Sequence, residues 1–203
     1  MTAAVADLLP RSARIGPNAI IQTIAVLRDR YGTLVASDLL LRATGRGLND
    51  LPSRMVDEAE VRELVALCLE RIGAARTRDV LREAGDRTAC YLLDNRIPRV
   101  VQWLLRALPA RPALRLLARA MAQHAWTFAG SGKFVFTAAA TPTFAIRDCP
   151  LCRGLTLNAP VCDFYTGTFE RLLDTLVRHG TRVTQVESAA SGGCCCRYAV
   201  RLP

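Results

Sequence analysis

Lysine and histidine are nearly missing from this chain, and acidic residues are missing where they matter most. Lys133 is the only lysine, and only His124 and His179 offer an imidazole for acid–base work. His179 sits where a helix should end, a place that welcomes a cation and needs no further role. No stretch approaches the ~20 apolar residues that span a bilayer, because arginines interrupt every apolar run. No Gly-x-Gly-x-x-Gly follows a strand. Gly45-Arg-Gly47 stands in a loop without the third glycine, and no flavin signature is visible, so a hydride would have to come from an external donor. Between Asn95 and Arg147 there is no Asp or Glu, against Arg96, Arg99, Arg106, Arg111, Arg115, Arg119, Lys133 and Arg147. That segment carries a positive field and favours an acidic partner. The short apolar piece Ala3 to Leu9 precedes its arginines, the reverse of a secretory signal, which predicts a cytoplasmic protein.

What is present suits a folded chain. The 203 residues are 51% apolar, enough for one domain with a real core or one domain with a helical extension. The net charge of +9 is almost wholly arginine, and its distribution says more than its size. Eight cysteines in a cytoplasmic chain point to metal binding or redox work rather than to disulfides. Cys68 and Cys90 fall in helical patterns and read as small core residues.

The apolar spacing predicts helices over residues 17–43 (broken near Tyr31-Gly32), Asp57 to Ile72, Thr77 to Asn95, Pro98 to Leu108, and Pro112 to about His124. Gly85 weakens the third of these. The pattern then changes. Lys133 to Ala138 and Thr143 to Arg147 read as strands around a Thr141-Pro142 turn. Cys149 to Asn158 is a loop, and a helix runs from Pro160 to His179-Gly180. Strands follow over Thr181 to Glu187 and Cys196 to Leu202 around Gly192-Gly193. The prediction is an α+β fold: a helical part over 1–130 packed on a hairpin-helix-hairpin over 131–203, whose antiparallel sheet carries helices on one face, as one continuous unit.

Cysteine dominates the chemistry. Cys149-Pro-Leu-Cys152 is a CxxC loop directly after a strand, Cys162 lies at a helix start, and Cys194, Cys195 and Cys196 enter the last strand. In a plain hairpin Glu187 lies opposite Cys196. Three or four thiolates plus a carboxylate at one corner match a structural zinc site. An iron–sulfur cluster takes four thiolates but tolerates a carboxylate poorly, and scattered buried thiols are the plain alternative. Phe164, Tyr165 and Phe169 set aromatic surface near this corner, and Gly167 lets another backbone come close.

Residues ~133 to 203 resemble the 4-vinyl reductase domain, on Pro160-Val-Cys162, Gly167-Thr-Phe169, Val186-Glu187 and Cys196-Arg-Tyr198. The Cys149-Pro-Leu-Cys152-Arg-Gly loop and the Phe164-Tyr165-x-Gly167-x-Phe169-Glu170 step look like its bacteriochlorophyll-synthesis branch, whose members are called bacteriochlorophyll 4-vinyl reductase. The resemblance implies a fold shared with vesicle-tethering (TRAPP-type) subunits and aromatic-sensing regulator domains, which bind apolar ligands. It implies zinc held by Cys162, Glu187 and Cys196. The family's remaining cysteine falls at Ala190, so Cys194, Cys195 or the pair Cys149 and Cys152 would replace it.

The expected function is therefore binding of a tetrapyrrole intermediate, a Mg-porphyrin or divinyl chlorophyllide, with no catalytic residue assigned. Val100, Val101, Trp103, Leu104, Leu116 and Leu117 would hold the macrocycle together with Trp126, Phe164 and Tyr165. Arg111, Arg115 and Arg119, one row on a helix, would pair its carboxylate, and His124 would ligate its magnesium. Two alternatives stand: a reductase using an external hydride donor, and a basic module docking on a pigment-synthesis enzyme or on anionic membrane. Nucleic acid is not an expected partner. A homodimer and a location peripheral to the photosynthetic membrane remain open.

Overall fold

Polar caps and apolar spacing set the element boundaries in the computed structural model, which describes residues 13–158 and 160–203. The Ala3 to Leu9 piece lies outside the described residues. A short antiparallel pair, β1 (Arg14–Ile15) with β2 (Val56–Asp57), ties the start of the described chain to the entry of α3. Helices α1 (Asn18–Tyr31) and α2 (Thr33–Thr44) are separated by Gly32, and α3 (Glu58–Ile72) is capped by the Asp57 carboxylate accepting from the Ala59 N–H at 2.8 Å. Next come α4 (Ala74–Asn95), α5 (Arg99–Ala107) and α6 (Ala110–Gln123), the last two each entered through a proline, and the short α7 (Trp126–Ala129). The C-terminal part runs β3 (Lys133–Thr137), β4 (Thr143–Arg147), α8 (Asp163–Leu176), β5 (Arg182–Glu187), a 3-10 turn at Ala189–Ser191 and β6 (Cys196–Arg201). Among the described residues no helix is long and apolar enough to cross a membrane.

The sheet has strand order β3-β4-β6-β5 and is antiparallel throughout, so the hairpin-helix-hairpin expectation matches the architecture. Its inner face meets α8 through rings: Phe144 to Phe169 at 5.1 Å, Phe169 to Tyr198 at 5.4 Å, and Phe134 to Phe144 at 5.4 Å between centroids. These edge and tilted pairs fill the space between helix and sheet.

On its other side α8 presses against α4, closely enough that neither helix can carry a side chain at the crossing. A Cβ on Gly85 would lie 2.0 Å from the Phe164 carbonyl oxygen, and one on Gly167 would lie 2.1 Å from that of Arg82. The seam is closed by the Thr168 hydroxyl donating to the Gly85 carbonyl at 3.1 Å. Ion pairs Arg78–Asp163, Arg82–Glu170 and Arg171–Asp86 flank it. Sandwiched between α4 and the sheet, α8 is buried from Asp163 through Phe169.

Several boundaries differ from the sequence reading. Helix α4 begins at Ala74 rather than Thr77, and α6 begins at Ala110, so Pro112 sits inside the first turn, where a missing N–H costs nothing. Helix α8 starts at Asp163, after Cys162, rather than at Pro160. The β1–β2 pair, α7 and the 3-10 turn are too short to leave a periodic signal.

Candidate functional site

Four cysteines from three separate places converge at the end of α8. Cys149 and Cys152 lie in the turn after β4, where the Arg153 N–H donates to the Cys149 carbonyl at 3.0 Å and Asp148 takes a positive φ of 50° to reverse the chain. Cys162 is the residue before α8, and Cys196 is the first residue of β6. Their Sγ atoms stand 3.6 Å apart for Cys149 and Cys162, 3.3 Å for Cys152 and Cys196, and 3.5 Å for Cys162 and Cys196. All four lie within 4.8 Å of one another, all are buried, and none is in a disulfide. A tetrahedron of sulfurs at ~2.3 Å from a metal has edges of about 3.8 Å, so the spacing fits, and the group could hold a metal ion.

The protonation of these thiols argues the same way. Burial pushes the Cys149 thiol well up, and hydrogen bonding with Cys149, Cys152 and Cys196 holds the Cys162 proton in place. The same neighbours drive Cys196 down, so one sulfur carries the charge and the others share protons around it. A cation is the natural replacement for those protons. Tyr165 and Tyr198 close the inner side. Their hydroxyls donate to the Phe128 carbonyl at 2.8 Å and the Cys162 carbonyl at 3.4 Å, and burial raises both phenols well above their usual range.

A second network, unforeseen from sequence, anchors the CxxC loop. The buried Glu58 carboxylate accepts from the Ser131 N–H at 2.9 Å, the Ser131 hydroxyl at 2.7 Å and Arg153 Nη1 at 3.1 Å, and Arg153 also donates to the Asp148 carbonyl. The residue after Cys152 is thereby tied to the first turn of α3.

Glu187 is a correction. Unbroken pairing of β5 with β6 would put it opposite Cys196, as the sequence suggests. A β-bulge between Gln185 and Glu187 shifts the register by one, so Glu187 pairs with Arg197. One residue of slip turns a side chain to the opposite sheet face. Glu187 therefore leaves the four sulfurs and bonds Arg197 Nε at 3.0 Å, the Cys194 N–H at 2.9 Å and the Cys194 thiol at 3.2 Å. The Cys194 thiol and then the Arg197 guanidinium hold its carboxyl down at about 2. Cys194 and Cys195 stay with Glu187, outside the buried group. Cys68 is fully buried, its thiol pushed up to about 12 by burial, and Cys90 is half-buried.

The expected ligand residues divide. Phe164 and Tyr165 are buried framework in the α4–α8 seam and the aromatic cluster. Leu117 is buried with Leu114 and Ala118 beneath α6, which corrects its expected place at the macrocycle. Arg111, Arg115 and Arg119 are exposed along one row, with Leu116 exposed beside them. His124 and Trp126 are exposed just beyond the end of α6, whereas Trp103 projects from α5.

The family model of the 4-vinyl reductase domain matches residues 142–202, the stretch that carries Cys149, Cys152, Cys162 and Cys196. The chain is 40% identical over 185 residues to the "Bacteriochlorophyll synthase 23 kDa chain" of Cereibacter sphaeroides, covering 91% of this chain and 89% of that one. It is 40% identical over 184 residues to the protein of the same name from Rhodobacter capsulatus, covering 90% and 84%. Among solved structures it is similar to an Fe(II) unliganded H-NOX protein from K. algicida, with a TM-score of 0.59 at 8% identity over 92% of this chain and 96% of that one. It is also similar to a trafficking protein particle complex subunit 3 from Naegleria fowleri covalently bound to palmitic acid, with a TM-score of 0.51 at 14% identity over 68% and 89%. At such identities these two establish the fold alone. The relatives establish the family: the chain belongs to the 4-vinyl reductase domain proteins, in the branch of the bacteriochlorophyll synthase 23 kDa chains.

Proposed function

We propose that this protein serves bacteriochlorophyll synthesis by binding a tetrapyrrole intermediate, of the Mg-porphyrin or divinyl chlorophyllide type, and presenting it to a pigment-synthesis enzyme for processing that includes reduction of a vinyl group. The observation that carries the reading is the 40% identity, over nine tenths of the chain, to proteins named for bacteriochlorophyll synthase. The exposed side of α6 and α7 supplies suitable chemistry. The row Arg111, Arg115 and Arg119 suits a propionate, Leu116 and Trp126 offer apolar contact, and His124 can ligate magnesium. A shallow crevice between α6 and the β3–β4 hairpin, lined by Arg111, Leu114, Arg115, Phe136 and Pro142, lies beside the row.

In the same reading Cys149, Cys152, Cys162 and Cys196 hold one zinc as a structural pin. The donor set is four soft sulfurs, buried and closed to substrate, and a zinc with no open position stabilises rather than catalyses. It would fix the CxxC loop, the start of α8 and the start of β6 to one another.

Titration of the purified chain with Mg-protoporphyrin, followed by NADPH and a divinyl substrate, separates the possibilities. The reading predicts a saturable absorbance shift at one pigment per chain and no monovinyl product. Absence of a saturable shift would defeat pigment binding, and sustained turnover by the chain alone would make it the reductase.

A further inference from the structure

Helix α5 is built inside out. Val100, Trp103, Leu104 and Ala107 recur at i, i+3, i+4 and i+7, the spacing that normally marks a core-facing stripe. Here all four face solvent, with Val100 77%, Trp103 69% and Leu104 46% exposed. The side turned inward carries Leu105 and a glutamine: Gln102 is buried, and its amide donates to the Leu93 carbonyl at 2.6 Å and the Ile97 carbonyl at 2.9 Å. Those acceptors lie in the last turn of α4 and just beyond it, where helix carbonyls lack intrahelical partners. Arg106 locks the arrangement from the edge, donating to the Gln102 side chain at 3.2 Å and to the Thr175 carbonyl on α8 at 3.1 Å. The outward direction of the apolar stripe is therefore fixed by hydrogen bonds.

We propose that the outer face of α5 docks this protein on an anionic lipid bilayer, with Trp103 and Leu104 entering the headgroup region. The charge around the stripe selects that occupant. Arg96 and Arg99 precede it, Arg111 and Arg115 follow it, and no acid occurs between Asn95 and Arg147. Among the described residues none of these four arginines pairs with a carboxylate. A protein partner is usually met with charges of both signs. A field of one sign around a convex aliphatic and tryptophan ridge instead complements a surface that is negative everywhere and soft enough to admit side chains. Docking involves neither the four cysteines nor a pigment, so it stands or falls apart from the proposed function.

The test uses the full chain carrying Trp126→Phe, which leaves Trp103 as the only tryptophan, with vesicles of phosphatidylglycerol and phosphatidylcholine or of phosphatidylcholine alone. At low salt the protein should sediment with the anionic vesicles, its emission should shift to the blue, and added salt should reverse both. Val100→Ser and Leu104→Ser should each lower the partition coefficient about tenfold and leave the circular dichroism unchanged, because both side chains point into solvent. No sedimentation with anionic vesicles would overturn the proposal, as would binding that survives the double substitution. Concentration-dependent self-association abolished by Leu104→Ser would assign the face to a second copy and overturn it too.

Discussion

Replacing Gly167 with alanine tests how the metal corner is held. The new methyl would sit 2.1 Å from the Arg82 carbonyl oxygen and 3.0 Å from the Asp86 nitrogen, both backbone atoms of α4 that cannot rotate away. Ordinary contact begins near ~3.5 Å, so the helices must part locally by more than an ångström. Overpacking of this kind costs ~3 kcal/mol at the upper end, and the better helix propensity of alanine returns about 1 kcal/mol. The net loss is about 2 kcal/mol, a fall in melting temperature of roughly 4–8 °C for a chain of this size. Because Cys162 immediately precedes α8, the same displacement should loosen metal binding. Urea unfolding measures the first effect and metal content after dialysis against a chelator the second. Gly47→Ala is the reference: nothing lies within 4 Å of its Cβ position, and its effect should stay within about 0.5 kcal/mol. A Gly167→Ala protein as stable as wild type would refute the close crossing.

Three further outcomes follow from the site. Cys162→Ser should lower both metal content and soluble yield, whereas Glu187→Gln should leave metal content unchanged; metal analysis in which Glu187→Gln loses the ion would restore the carboxylate as a ligand. Glu187 titrates lower folded than unfolded, so its contribution to stability is fully present above its ordinary value of 4.5 and is lost as pH falls through about 2. The difference in urea midpoint between wild type and Glu187→Gln should therefore be flat above pH ~5 and shrink below it, and a difference that grows with acid would contradict the pairing. Glu58→Ala strands Ser131 and the Arg153 guanidinium and should cost about 2–3 kcal/mol, against at most ~0.5 kcal/mol for Asp38→Ala in the exposed Arg42–Asp38 pair; equal effects would show that the buried network is not what holds the CxxC loop.

The sequence reveals much of this fold because long elements repeat their apolar spacing many times. Helix α3 and the hairpin strands stand where periodicity puts them. Cys149, Cys152, Cys162 and Cys196 are each visible as candidates, yet their union depends on a turn with a positive φ at Asp148 and on the register of β6. The bulge that removes Glu187 leaves no mark on composition, since Val186 reads like any strand residue. Gly85 and Gly167 look like isolated weaknesses until they are seen as the two sides of one crossing. Helix α5 misleads for a related reason. Periodicity identifies an apolar face without saying which way it points, and the buried Gln102 opposite that face is the clue to its direction.

The arginine row gives the most direct measurement of pigment binding. Mg-protoporphyrin with free propionates and its dimethyl ester would be titrated into wild type and into a protein carrying Arg111→Gln, Arg115→Gln and Arg119→Gln. Each arginine that meets a propionate in a partly exposed, charge-assisted pair should contribute on the order of 1–2 kcal/mol. The account predicts that the triple substitution weakens the dicarboxylate at least tenfold and spares the ester, and that the difference narrows as salt rises. Equal binding of acid and ester by both proteins would contradict it.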